Sequence, residues 1–191
     1  MVLYIPFRKK LRRDESIMAE KKTDRKPQKV IAKYRHNGYG IVSGPHNPAS
    51  IGCNMYVLES GECGTFFTLK RWHQGHAGLA HGGIGAAILD EVLGYANDSL
   101  DYVRDMKYTP VFTGTVTYKY LKPIEVGKTY YAVGRVTREE GRKHFVAGEI
   151  TDAAGALYVV ADGVYLTAPA LEDRNEKLAF QELTDDDPKE I

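Results

Sequence analysis

Asp90 lies inside Ile84-Gly85-Ala86-Ala87-Ile88-Leu89-Asp90-Glu91-Val92-Leu93-Gly94-Tyr95-Ala96, a run that is otherwise almost wholly apolar. A carboxylate in such a setting is costly to bury unless it is paired or put to use. Two readings stand: Asp90 and Glu91 emerge on a solvent face or meet a basic residue, or Asp90 does chemistry. His81-Gly82-Gly83 leads straight into the same run. The first N–H groups of a helix lack internal partners and carry partial positive charge. Glycines there let a ligand atom approach the backbone, which suits a carbonyl oxygen becoming an oxyanion; the plainer reading is a tight loop before a helix.

Geometry constrains the chemical reading. Gly82 and Asp90 are eight residues apart, or ~12 Å along one helix at ~1.5 Å per residue. A single reacting carbon needs both groups within ~3 Å. One chain cannot supply that, whereas two antiparallel helices from two subunits can. A site built from Gly82 and Asp90 therefore requires a dimer.

The elements that position these groups follow from periodicity and turn residues. One helix is expected over 82–97, apolar nearly all round and so buried. Strands are expected at 39–42, 54–58, 65–69, 111–121, 129–138, 143–152 and 157–167, separated by turn signals such as Lys122-Pro123, Glu140-Gly141 and Ala153-Ala154-Gly155. The last four runs each carry a central glycine, Gly114, Gly134, Gly148 and Gly163. Strand glycines mark bends and close backbone approach, which a sheet curling around a helix needs.

The 191 residues suit one domain with tails. The expected division is a charged tail 1–29, a folded domain 30–168 and an acidic tail 169–191, with both tails solvated. A net charge of +1 gives no strong bias toward nucleic acid or membrane. No apolar run approaches the ~20 residues of a membrane span. Cys53 and Cys63 are expected as reduced thiols, consistent with a cytoplasmic setting. The six histidines show no metal-ligand spacing.

Gly78-Leu79-Ala80-His81-Gly82-Gly83-Ile84 followed by Leu89-Asp90-Glu91 resembles the motif of hotdog-fold acyl-CoA thioesterases, especially the branch with the phenylacetate-pathway enzymes. The resemblance runs from about 44 to 167 and includes Val116-Thr117-Tyr118-Lys119-Tyr120-Leu121-Lys122-Pro123. It implies an α+β hotdog fold, a curved antiparallel sheet wrapped around a long central helix, in protomers that pair as dimers or dimers of dimers. It implies acyl-CoA as substrate, with no cofactor and no metal. It further implies that the Gly82 amide polarises the thioester carbonyl with Gly83 supporting the turn. Asp90 of the other subunit then activates water or attacks directly, and His81 orients the turn more than it acts as a base. A non-catalytic acyl-CoA sensor of the same fold is the alternative. Two departures stand out. Relatives often carry an amide or imidazole a few residues before His-Gly, where this chain has Gly75, leaving Gln74 and His76 as substitutes. Some relatives place a hydroxyl one turn after the carboxylate, where this chain has Gly94. Arg138, Arg142 and Lys143 are candidate contacts for the CoA phosphates.

Overall fold

The computed structural model describes residues 22–35, 38–105, 110–168 and 179–191. Its elements are β1 (Val30–Arg35), β2 (Tyr56–Leu58), β3 (Cys63–Thr68), β4 (Gln74–His76), β5 (Leu79–Ala80), α1 (Gly82–Asp105), β6 (Val111–Tyr120), β7 (Thr129–Glu140), β8 (Lys143–Thr151), β9 (Leu157–Thr167) and β10 (Ala179–Gln181). Eight strands form one sheet in the order β10-β1-β2-β3-β7-β8-β9-β6, antiparallel at every pairing. The short β4 and β5 form a separate hairpin leading into the helix.

Helix α1 lies on the concave face, where Ile88, Leu89, Val92, Leu93 and Ala96 are fully buried. The central glycines explain how it gets so close. Gly134 and Gly148 face each other across β7 and β8. A Cβ at Gly134 would lie 3.0 Å from Val92, and one at Gly148 would lie 3.0 Å from Leu93 and 2.9 Å from the Val133 carbonyl. The helix thus rests on a patch of sheet without side chains, which bears out the close-approach reading of those glycines. The helix runs to Asp105, two turns beyond the expected end at 97, because Asn97 and Asp98, polar in sequence, are buried against the fold.

Three expectations need correcting. Residues 39–42 form no strand; they lie in a turn-rich loop closed by the Gly44 N–H on the Gly40 carbonyl. The strand on that side of the sheet is β1, between β10 and β2, whose alternating burial sits within a lysine- and arginine-bearing stretch. The described parts of the two termini also dock on the fold through particular contacts, although most of their residues stay exposed. Thr23 N–H bonds to the Gly155 carbonyl, Val30 N–H bonds to the Lys189 carbonyl, and β10 pairs with β1. Ile191 is buried with Val30, Tyr56, Leu58 and Val133 on the convex face of the sheet. Asp187, from the acidic run, accepts from Lys33 Nζ at 2.9 Å, the Tyr56 hydroxyl at 3.0 Å and the Thr184 N–H at 2.9 Å. Apolar residues between the charges supply burial, and the charge itself finds donors.

Cys53 and Cys63 are free and buried. Burial pushes the Cys53 thiol up to about 12, so it stays neutral. Among the described residues, no helix is long and apolar enough to cross a membrane.

Candidate active site

His81 closes the N-terminus of α1. Its Nδ1 accepts the Gly83 N–H at 3.0 Å, and its carbonyl accepts the Ile84 N–H at 2.9 Å. Its own N–H bonds to the His73 carbonyl at 2.9 Å, anchoring the helix start to the preceding 3-10 turn. These contacts occupy the second and third amides of the helix. The first, Gly82 N–H, has no hydrogen-bond acceptor among the described residues and lies at the exposed positive end of a 24-residue helix. The Tyr120 hydroxyl donates to the Gly82 carbonyl at 2.9 Å, placing the aromatic ring beside this amide. A cavity of about 260 Å³ opens here, lined by Ala80, His81, Gly82, Gly85, Tyr120 and Ile124 among others.

The segment before the motif serves the turn. Gln74 Oε1 accepts the Gly78 N–H at 3.1 Å, while His76 is exposed on β4. A Cβ at Gly75 would lie 3.1 Å from the His81 Cα, so the packing of His81 leaves little room for a side chain where relatives carry an amide or imidazole. His73 is buried, with Nδ1 accepting the Lys70 N–H at 3.1 Å; burial and the nearby Lys70 charge push it down, toward the neutral form.

Asp90 is half-buried on the face of α1 turned toward β9 and β6. Its Oδ1 accepts from Tyr165 at 2.7 Å and from Thr113 at 3.0 Å. Neither donor was singled out by the sequence; the only local signal was Gly114 next to Thr113. Glu91 points elsewhere and shares a hydrogen bond with Ser43, in the loop after β1. Burial pushes Glu91 up, and the Asp90 charge adds to this against the opposing Ser43 bond. The adjacent carboxylates therefore occupy different environments, and only Asp90 reaches the sheet edge.

Gly82 and Asp90 lie on one helix, as the spacing required, so a single chain does not bring them together. Strand β6 connects them: Tyr120 at its end touches Gly82, and Thr113 near its start touches Asp90. This strand forms one edge of the sheet, with Phe112 55% and Tyr120 50% exposed. Of the candidate phosphate contacts, Arg138 pairs with Glu140 at 2.6 Å and lies over the Phe145 ring, and Arg142 donates to the Thr167 carbonyl at 3.0 Å. Lys143 opens β8 beside them. Among the described residues, no three His, Cys, Asp or Glu side chains gather as metal ligands.

A long helix held in a curved antiparallel sheet is the hotdog fold, and comparison with known proteins agrees. The Thioesterase superfamily matches residues 77–159, a span holding α1 and β6 through the start of β9. A crystal structure described as a thioesterase superfamily protein is 26% identical, with TM-score 0.58 over 67% of this chain; the chain spans 60% of that protein's length. The E. coli PaaI protein of the phenylacetic acid degradation operon is 17% identical, with TM-score 0.55, covering 62% of this chain and 80% of its own. A Streptococcus mutans protein solved bound to acetyl CoA is 18% identical, with TM-score 0.51, covering 56% and 82%. No curated protein sequence matches.

Proposed function

We propose that this protein hydrolyses acyl-CoA thioesters to free acid and CoA. The observation that carries the reading is one helix that bears both an unengaged first amide at Gly82 and a carboxylate at Asp90 whose Oδ1 is already held by two donors. The match of the Thioesterase superfamily to the segment holding both groups supports it. So does the fold shared with a protein solved bound to acetyl CoA.

The site needs two subunits. Antiparallel pairing of β6 with its copy sets the Tyr120 end of one strand beside the Thr113 end of the other, and hence Gly82 near the partner subunit's Asp90. The two marker residues are seven positions apart on β6, or ~23 Å at ~3.3 Å per residue, so two equivalent sites form. In each, the thioester carbonyl oxygen takes the Gly82 N–H, and His81 and Gly83 hold the turn. The partner subunit's Asp90 either takes a proton from water as it adds to the carbonyl carbon or adds to that carbon itself. Collapse of the oxyanion then breaks the C–S bond and releases CoA thiolate, which takes up a proton. The mixed anhydride of the second route is opened by water to the same acid. Free, buried Cys53 and Cys63 support a reducing, cytoplasmic setting.

The test is release of free thiol from a panel of acyl-CoAs by the wild-type chain and by Asp90→Asn. Hydrolysis of at least one substrate, lost in the variant, is the expected result. Tight binding of acyl-CoA without turnover in either protein overturns hydrolysis in favour of a sensor.

A further inference from the structure

We propose that Thr113 and Tyr165 form a built pair of positioning residues that fix the Asp90 carboxylate from the sheet. The proposal rests on the hydrolytic reading of Asp90 given above.

Thr113 and Tyr165 are direct cross-strand partners on β6 and β9, and the next pair is Thr115 with Val164. Gly114 is thus an unpaired bulge residue, and a bulge reverses which side chains of its strand face inward. Beyond it Val116 and Tyr118 pack against the core; before it Val111 does. Without the bulge, Val111 and Thr113 would share the outward face of Thr115, Thr117 and Lys119. With it, Thr113 turns to the helix and reaches Asp90 Oδ1 at 3.0 Å. Only glycine permits this geometry, because a Cβ at position 114 would lie 2.8 Å from the Val164 carbonyl.

Tyr165 comes from the adjacent strand and is 2% exposed. Its hydroxyl lies 2.7 Å from both Asp90 Oδ1 and the Asp90 carbonyl, so its one proton serves either. Burial, then the hydrogen bond to Asp90, pushes the phenol up, so it remains a donor. The ring runs alongside Gly94: a Cβ there would lie 3.7 Å from Tyr165 Cε1. The tyrosine that carries the hydroxyl thus borders the helix one turn after the carboxylate. With two donors on Oδ1 and none on Oδ2 among the described residues, Oδ2 is left as the reacting oxygen.

The test uses Thr113→Val, Thr113→Ser and Tyr165→Phe in the full chain. Thr113→Val and Tyr165→Phe are expected to lower kcat by on the order of 10-fold to 100-fold with KM nearly unchanged, as for a slightly misplaced reacting group. Thr113→Ser, which keeps the hydroxyl, retains kcat. The Asp90 side-chain carboxyl carbon resonance is expected to move in Thr113→Val and Tyr165→Phe and to stay in Thr113→Ser. Unchanged kcat and an unmoved resonance in both hydroxyl-deletion variants overturn the pair. A wild-type chain that hydrolyses no thioester, with the resonance moving as expected, supports the pair and overturns the hydrolytic reading instead.

Discussion

The Tyr120 hydroxyl donates to the Gly82 carbonyl at 2.9 Å, tying the first residue of α1 to the far end of the strand whose start holds Asp90 through Thr113. The contact holds the carbonyl side of Gly82 and leaves its N–H outward. Gly82→Pro removes that N–H and places a ring carbon on the nitrogen, at a helix position where proline is well tolerated. A Cβ at this position meets nothing closer than the Tyr120 ring at 3.7 Å. The expected outcome is a near-normal melting curve with thioester hydrolysis reduced about 10²–10³-fold. Hydrolysis within a few-fold of wild type removes Gly82 N–H from the reaction.

Asp90→Asn keeps the side-chain shape and can still accept from Thr113 and Tyr165 through its amide oxygen. It cannot take a proton from water at neutral pH. Turnover is expected to fall about 10²–10⁴-fold or more, with acyl-CoA binding retained. The two are separated by comparing steady-state hydrolysis with equilibrium binding of a non-hydrolysable thioester analogue.

Mixing the two defective chains tests the shared site directly. If each site takes Gly82 from one subunit and Asp90 from the other, a mixed dimer has one doubly damaged site and one intact site. With random exchange, half the dimers are mixed, so about a quarter of wild-type sites return. Activity of the unfolded-and-refolded mixture that stays at the sum of the two variants contradicts a site shared across the dimer.

Gly148→Ala places a methyl 2.9 Å from the Val133 carbonyl and 3.0 Å from Leu93 at the bed of the helix. Either sheet or helix must shift, at an expected cost of about 1–3 kcal/mol. For a domain of this size Tm falls by about 2–4 °C per kcal/mol. A thermal melt of the variant within 1 °C of wild type, as a rough threshold on that scale, would show that the helix does not rest on the glycine patch.

Asp187 anchors the C-terminal segment and is 6% exposed. Burial alone pushes its carboxyl up, but the donors from Thr184, Lys33 and Tyr56 outweigh it, leaving it well below the usual carboxylate range. With the folded value depressed, the stabilisation is present above the unfolded value of about 4 and is lost as pH falls toward the folded one. Hydrogen exchange of β10 and β1 is therefore expected to speed up in acid more than that of β8. In Asp187→Asn it should be fast already at neutral pH, since a hydrogen bond to a charged group contributes about 1.5–3 kcal/mol.

Much of this was legible in the linear chain because it depends on local order. The apolar run around Asp90 predicted a buried helix, and the His81-Gly82-Gly83 segment marked its start, where the Gly82 amide is left open. The strands after the helix lie within two residues of their expected bounds, since turn residues and β-preference act over short range. The eight-residue spacing already required a second subunit for any chemistry joining Gly82 to Asp90. What reads poorly is structure whose cause lies far along the chain. Strand β1 falls inside the expected domain but is not among the expected strands; its pairing with β2 and β10 makes it one. The acidic end reads as solvated until Lys33 and Tyr56, over 130 residues away, supply donors to Asp187.

The sequence alone therefore determined the helix, its glycine-rich start and the carboxylate of Asp90 within its apolar run, because periodicity and helix-end chemistry are local properties. Only the tertiary structure decided what holds that carboxylate. Thr113 and Tyr165 are 52 positions apart, and Tyr165 is 75 from Asp90. They meet there because the β6–β9 register and the Gly114 bulge turn both side chains to one face of α1. Register and bulge are set by pairing between strands, which no single stretch of sequence contains.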